Sequence, residues 1–173
     1  MEKMNEETLK GHMSAHGEYL IRLAYMYVKS WQSAEDIVQE VFVIFYRKSD
    51  QYREQASVKT YLAKITVNLC HTHLKNWKNR ISLFAGNAFS SSSDCETPET
   101  LLTGKQLKHH VAQTILQLPI HYREVILLYY YQEFSVTEIS HILDCPEGTV
   151  KTRLSRARAT LRKKLDQSDM EVI

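Results

Sequence analysis

The sequence predicts an all-α protein of two small helical domains joined by a flexible linker, with a helix-turn-helix at the C-terminal end. Three observations carry that prediction. Only five Gly and three Pro occur in 173 residues, too few for a turn-rich sheet protein. In both halves of the chain apolar residues recur at spacings of three and four, which line one side of a helix. Between Arg80 and Lys105 that periodicity lapses into Gly86-Asn87, a serine run from Ser90 to Ser93, Asp94 and Pro98, with three acidic and no basic residues. The domains are therefore expected at 1–80 and 105–173, with 81–104 as the linker.

In the N-terminal part, Tyr19, Leu20, Leu23, Tyr27 and Val28 fall on one face of a first helix. After Trp31, the pair Ser33 and Asp36 has the form of a capping box with Asp in place of Glu. It is expected to open a second helix whose apolar side carries Ile37, Val38, Val41, Phe42 and Phe45. Val58, Leu62, Ile65 and Leu69 define a third helix running toward Trp77. Three such stripes pack against one another as a compact bundle.

In the C-terminal part, Ser135 and Glu138 form an S-x-x-E capping box, and Ile139, Ile142 and Leu143 supply a short buried stripe behind it. Pro146 cannot continue that helix but suits the first turn of another, so Asp144-Cys145 is the turn and a second helix starts at about Pro146. Along this helix Val150, Leu154, Ala157, Leu161 and Leu165 share one side. At about 100° per residue, Thr152, Ser155 and Arg156 point the other way, with Lys151 flanking. The outward face is polar and basic.

The charges are segregated. From Pro146 to Leu165 seven Lys/Arg stand against Glu147 alone, a local +6 on a chain whose total is +2, and a second block from Lys59 to Arg80 holds five basic and no acidic residues. Two separated basic segments suit a polyanion. A basic helix opening on a tight turn fits the DNA major groove, its N-terminal residues at base edges and its later Lys and Arg at phosphates. Arg156 is the expected base reader, because Arg pairs bidentately with guanine. Lys151, Thr152 and Ser155 are placed at bases or phosphates, Arg153 and Arg158 at phosphates, and Thr149 is counted among the DNA-binding residues.

Other classes find little support. The eight His are scattered: His71 and His73 lie on different helix faces, His109 and His110 are adjacent, and His141 with Cys145 makes half a metal site. No Gly-rich phosphate loop, nucleophile elbow or paired-carboxylate motif is present, so neither catalysis nor a cofactor or metal is expected. Three Cys, at 70, 95 and 145, suggest no disulfide framework and fit a reducing compartment. No stretch approaches the roughly 18 uncharged apolar residues of a membrane span, and the N-terminus does not read as a signal peptide, so a cytoplasmic location is expected.

Two runs together carry a family resemblance: Ala34-Glu35-Asp36-Ile37-Val38-Gln39-Glu40-Val41-Phe42, and Pro146-Glu147-Gly148-Thr149-Val150-Lys151-Thr152-Arg153-Leu154-Ser155-Arg156-Ala157-Arg158. In this order, with a linker between, the chain resembles the extracytoplasmic-function sigma factors, small two-domain bacterial proteins that direct RNA polymerase to promoters. The resemblance implies that the segment from Asp36 to Arg47 docks on the β′ clamp helices of core polymerase through Asp36, Gln39 and Glu40, with the β flap as a further contact. It implies that Tyr52, Lys59, Lys64 and Asn68 belong to the part that melts the minus-ten element, where aromatic rings stack on unpaired bases and Lys tracks their phosphates. Tyr61 stands where the family usually carries Trp, and is read as a core residue. The helix-turn-helix then reads the minus-thirty-five element as duplex. Such sigma factors are commonly held inactive by a membrane-linked anti-sigma factor, so an inhibitor that clamps both domains is implied, with no insertion of this chain into a membrane. A two-domain regulator of the response-regulator type would share the helix-turn-helix. It also needs alternating strands before Arg80, where all the periodicity is helical.

Overall fold

Asn5 opens the first helix, α1 (Glu6–Val28), by accepting the Thr8 N–H on its side-chain oxygen at 2.7 Å, and Glu6 and Glu7 complement the positive end of the helix. The computed structural model describes residues 5–49, 57–84 and 106–170, with side-chain surroundings for 5–49, 57–79 and 110–166. All its regular elements are helices among these residues, and the chain divides into two compact units, Met1–Glu96 and Thr97–Ile173.

The first unit is built from α1, α2 (Trp31–Arg47) and α3 (Val58–Phe84). The turn between α1 and α2 is short because Lys29 adopts left-handed backbone, φ 58°, with its N–H on the Tyr25 carbonyl at 2.7 Å. Ser30 caps α2 at once. Its hydroxyl accepts the Ser33 N–H at 3.2 Å, so the helix begins three residues earlier than the Ser33–Asp36 reading expects and Ser33 is the donor rather than the cap. Trp31 holds that first turn by stacking on Tyr25, ring centroids 4.2 Å apart.

Side-chain contacts fix the directions of the three helices. The Tyr19 hydroxyl donates to the Lys59 carbonyl at 3.1 Å and the Tyr27 ring lies 5.7 Å from His71, so α1 and α3 run the same way. Phe45, near the end of α2, meets His12 and Tyr61 near the starts of the other two, so α2 returns antiparallel. The expected α2 stripe is the buried one: Ile37, Val38, Val41, Phe42 and Phe45 are all inside.

The α3 stripe differs from the expected one. Leu62, Ala63, Val67 and Cys70 are buried, joined by Thr60 and Thr66, whereas Ile65 and Leu69 are half-buried. The true core face is turned by about 100°, one residue's worth of helix. The reason is that Thr66 donates its hydroxyl proton to the Leu62 carbonyl at 2.8 Å, which leaves its methyl group to pack as an apolar side chain.

The second unit contains α4 (Gln106–Leu116), α5 (Ile120–Ile126), a π-helical turn Leu127–Tyr131 continuing it, α6 (Val136–Ile142) and α7 (Glu147–Met170). Pro119 starts α5. From its first turn the buried Arg123 sends Nη2 back to the carbonyls of Leu116 and Leu118, at 2.7 and 3.1 Å, closing the end of α4. The π turn, with the Gln132 N–H on the Leu127 carbonyl at 3.0 Å, adds a residue to the helix. Leu127, Leu128 and then Phe134 are thereby buried while Tyr129, Tyr130 and Tyr131 stay outside. Val150, Leu154 and Ala157 of α7 close the core over Ile139 and Ile142, and Leu161 and Leu165, further along the same side, are half-buried. No helix of the described residues is long and apolar enough to cross a membrane.

Candidate nucleic-acid and partner interfaces

The α6–turn–α7 segment is fastened at both ends. In the capping box Ser135 Oγ accepts the Glu138 N–H at 3.2 Å and Glu138 Oε2 accepts the Ser135 N–H at 2.9 Å. Asp144 makes the turn with φ 48°, a conformation Asp tolerates better than most side chains. Across the turn Thr137 Oγ1 donates to Glu147 Oε1 at 2.7 Å, tying the start of α6 to the start of α7.

On α7, Lys151, Thr152, Ser155 and Arg156 are all exposed and share one side of the helix. Thr152 gives its hydroxyl proton to the Gly148 carbonyl at 2.8 Å, so it offers an acceptor and a methyl group outward. Lys151 stands 3.9 Å from Glu147 one turn earlier, an exposed pair worth little. Arg158 is exposed, its Nε on the Leu154 carbonyl at 3.3 Å. Thr149 is half-buried, its N–H on the Pro146 carbonyl at 2.9 Å. Arg153 turns inward: its Nη1 lies 3.2 Å from Oε1 of the buried Glu124 on α5. The sequence reading missed this internal tie, although an Arg-Glu pair entering the apolar run Val125 to Leu128 was its visible sign.

In the first unit, Asp36, Gln39 and Glu40 are exposed on the side of α2 away from the bundle. Val43, one turn on, is 47% exposed and continues the same side as an apolar member of an otherwise polar face. On α3, Lys64 and Asn68 are one turn apart on the outward side with Tyr61 next to them, half-buried and 6.0 Å from the Phe45 ring. Lys59 is not with them. It points about 140° away around the helix, its ammonium 5.9 Å from the Tyr19 ring centroid. Tyr52 lies outside the described residues.

Burial dominates the titration of the unit interiors. It pushes the Cys70 thiol up to about 12 and raises the Tyr19 phenol. His16 is lowered, first by burial and then by the charges of His12 and Lys59. Cys145, in the helix–helix turn, is raised by burial, opposed by the Arg153 charge and reinforced by Glu124 and Asp144. Among the described residues no group of three or more His, Cys, Asp or Glu is gathered to hold a metal ion.

A helix-turn-helix with a basic outward helix, in a chain with a second helical unit bearing an acidic face, defines a DNA-binding transcription protein. The family model for Sigma-70 region 2 matches residues 13–80, and that for Sigma-70 region 4 matches residues 110–161. The chain is 32% identical to the ECF RNA polymerase sigma factor SigW of Bacillus subtilis over 95% of its own length and 92% of that protein. It is 31% identical to the ECF RNA polymerase sigma-E factor of Escherichia coli K12, covering 92% and 91% of the two chains. In fold it resembles the sigma factor RpoE solved in complex with the anti-sigma factor NepR from Bartonella quintana. That match has a TM-score of 0.78 and 22% identity, over 92% of this chain and 98% of that one. The chain belongs to the ECF RNA polymerase sigma factors, and its function is promoter-specific transcription initiation.

Proposed function

We propose a division of labour within that function. Residues 105–173 read the minus-thirty-five element as duplex, with α7 in the major groove, Arg156 on base edges, Lys151, Thr152 and Ser155 at bases or phosphates, and Thr149 and Arg158 at phosphates. The observation that carries this is the orientation of α7: Lys151, Thr152, Ser155 and Arg156 are exposed together while Arg153 is tied to Glu124. Arg153 therefore supports the reading face from its edge and contributes its charge to DNA only through the third of its side-chain surface that stays open.

Residues 1–80 bind core polymerase and the minus-ten element. The exposed Asp36, Gln39 and Glu40 with Val43 offer an acidic face with an apolar member to the β′ clamp helices, and the outward side of α3 with Lys64 and Asn68 tracks the opened strand, assisted by Tyr52, while Lys59, turned toward Tyr19, stays out of that contact. The segment after α3, from 85 to 104, joins the two, so each contact raises the effective concentration of the other. The chain works in the cytoplasm beside the polymerase, which supplies all the chemistry. An anti-sigma factor holding both units is its natural inhibitor, a reading supported by the solved complex of RpoE with the anti-sigma factor NepR. Run-off transcription with purified core polymerase tests the whole reading: a start-site-specific product is expected, and its absence on every promoter of the source genome would overturn it. Arg156→Ala should weaken promoter recognition and keep core binding.

A further inference from the structure

Glu147 is the sole acidic residue between Pro146 and Leu165, a stretch with seven Lys and Arg. With α7 against DNA, a carboxylate there repels phosphates and lowers affinity unless something on the DNA compensates it. Its placement is specific. Glu147, Lys151 and Ser155 follow one another at steps of four and are all exposed, so Glu147 begins the strip to which the other two belong. Its two oxygens are used unequally. Oε1 accepts the Thr137 hydroxyl proton at 2.7 Å, which anchors the side chain to α6. Oε2 lies 3.9 Å from Lys151 Nζ, beyond hydrogen-bond distance, and the side chain is 45% exposed. The next residue, Gly148, is helical, where glycine is less favourable than alanine, and a methyl group there would meet no atom within 4 Å. No neighbour among the described residues requires a bare Cα at this exposed position. A surface brought close from outside does.

In the major groove the first residues of the reading helix meet base edges, and a carboxylate accepts there from amino groups alone. Cytosine N4 and adenine N6 are the two such donors, whereas guanine and thymine present only acceptors. Adenine sets its N7 acceptor beside N6, which repels a carboxylate. Cytosine has a C–H on that side, and the guanine paired with it offers acceptors to Lys151, one turn on. We infer that Glu147 is a specificity-determining residue: Oε2 accepts from the N4 amino group of one cytosine in the minus-thirty-five element, and the carboxylate rejects guanine and thymine at that position. The inference rests on the placement of α7 in the major groove proposed above. It adds a base pair distinct from the one Arg156 reads, because nine residues, or about 14 Å of helix, separate the two side chains.

The test uses holoenzyme made from the full chain and core polymerase. Its DNA set starts from a promoter that gives the run-off product and places all four base pairs in turn at each minus-thirty-five position. Competition binding should show a cytosine preference of at least about fivefold over guanine and thymine at one position. Glu147→Gln keeps an acceptor for Thr137, and Gln pairs bidentately with adenine N6 and N7, so the preference there should move from cytosine to adenine. Glu147→Ala should erase the preference and raise affinity for promoters with guanine or thymine at that position. Circular dichroism should report the same helix content for all three chains, since the substituted side chain is exposed. Loss of a mere clasp between α6 and α7 would weaken all promoters alike, and loss of a mere repulsive charge would strengthen all alike. Either uniform change overturns the inference, as does an identical base profile for the parent and Glu147→Gln. If Arg156→Ala still alters the profile at another position, the failure belongs to Glu147 alone. A parent indifferent to the whole minus-thirty-five sequence overturns the placement of α7 as well.

Discussion

Arg153 of α7 reaches back to Glu124 of α5, Nη1 to Oε1 at 3.2 Å, and so sets a cation on a carboxylate whose side chain is only 5% exposed. The pair helps fix the rotation of α7 about its own axis: Arg153 sits at the edge of the buried side, and Arg156, about 60° further round the helix, falls on the exposed side. Removing one member of a buried pair leaves the other uncompensated, which costs about 3–5 kcal/mol when both are buried. Arg153 is 31% exposed, so Arg153→Ala should cost about 2–3 kcal/mol, and Arg153→Lys less. Urea denaturation followed by circular dichroism checks the loss. An Arg153→Ala chain with an unchanged midpoint would show that the pair holds nothing in place.

The two kinds of DNA contact on α7 separate by salt and by sequence. Arg156→Ala should cost about 1–3 kcal/mol at one promoter position and make the polymerase tolerate substitutions there. Arg158→Ala should weaken all promoters alike and lower the slope of log affinity against log salt by about one. Holoenzyme binding to promoter variants at several salt concentrations reads both. An Arg156→Ala effect that is the same on every sequence would move that residue from base reading to phosphate contact.

The local chemistry of α6 is the best test of what the sequence made visible. Ser135 and Glu138 make the capping box that their spacing predicts, so Ser135→Ala should cost about 1 kcal/mol by denaturation, and Glu138→Gln, which keeps an acceptor, less. That device was legible because both partners lie within four consecutive positions of the chain. The apolar side of α2 was legible for the same reason, since its five large side chains leave one face to choose. Elsewhere the deciding partner was remote or disguised. Ser30 rather than Ser33 caps α2 because Lys29 takes left-handed backbone, and spacing carries no trace of that choice. Thr66 and Thr60 joined the α3 core through hydroxyl bonds to the Leu62 carbonyl and the Ser57 hydroxyl, which a polar letter conceals. The orientation of Arg153 depends on Glu124, 29 residues away.

The exposed face of α2 predicts a loss of binding without a loss of fold. Asp36 and Glu40 touch water in the free chain, so Asp36→Ala with Glu40→Ala should leave the denaturation midpoint within about 0.5 kcal/mol of the parent. Affinity for core polymerase should fall at least about tenfold if these carboxylates and Val43 form the clamp contact. Val43→Ser adds an independent reading, because a 47% exposed Val costs the free chain little and the complex more. Pull-down of core polymerase by the variants decides: undiminished capture by the double variant would place the polymerase contact elsewhere.

The buried thiol of Cys70 makes stability fall on the alkaline side. Burial raises it from an ordinary 9.0 to about 12, so in the folded chain it keeps its proton where the unfolded chain has released it. The unfolded state then binds fewer protons, and the contribution is complete below about pH 9 and declines as pH rises from 9 toward 12. One such proton can remove at most about 1.4 kcal/mol per pH unit. The Tyr19 phenol, also raised by burial, adds a loss of the same sign beginning near its ordinary 10.0. Urea midpoints should therefore drop between pH 9 and 10.5, and Cys70→Ala should flatten the first part of the drop while lowering the plateau at neutral pH through the small cavity it leaves. The same burial keeps Cys70 unreactive toward a thiol reagent in the native chain at pH 8, although unfolding exposes it. Equal slopes for the parent and the Ala variant would show that the thiol is not what responds to alkali.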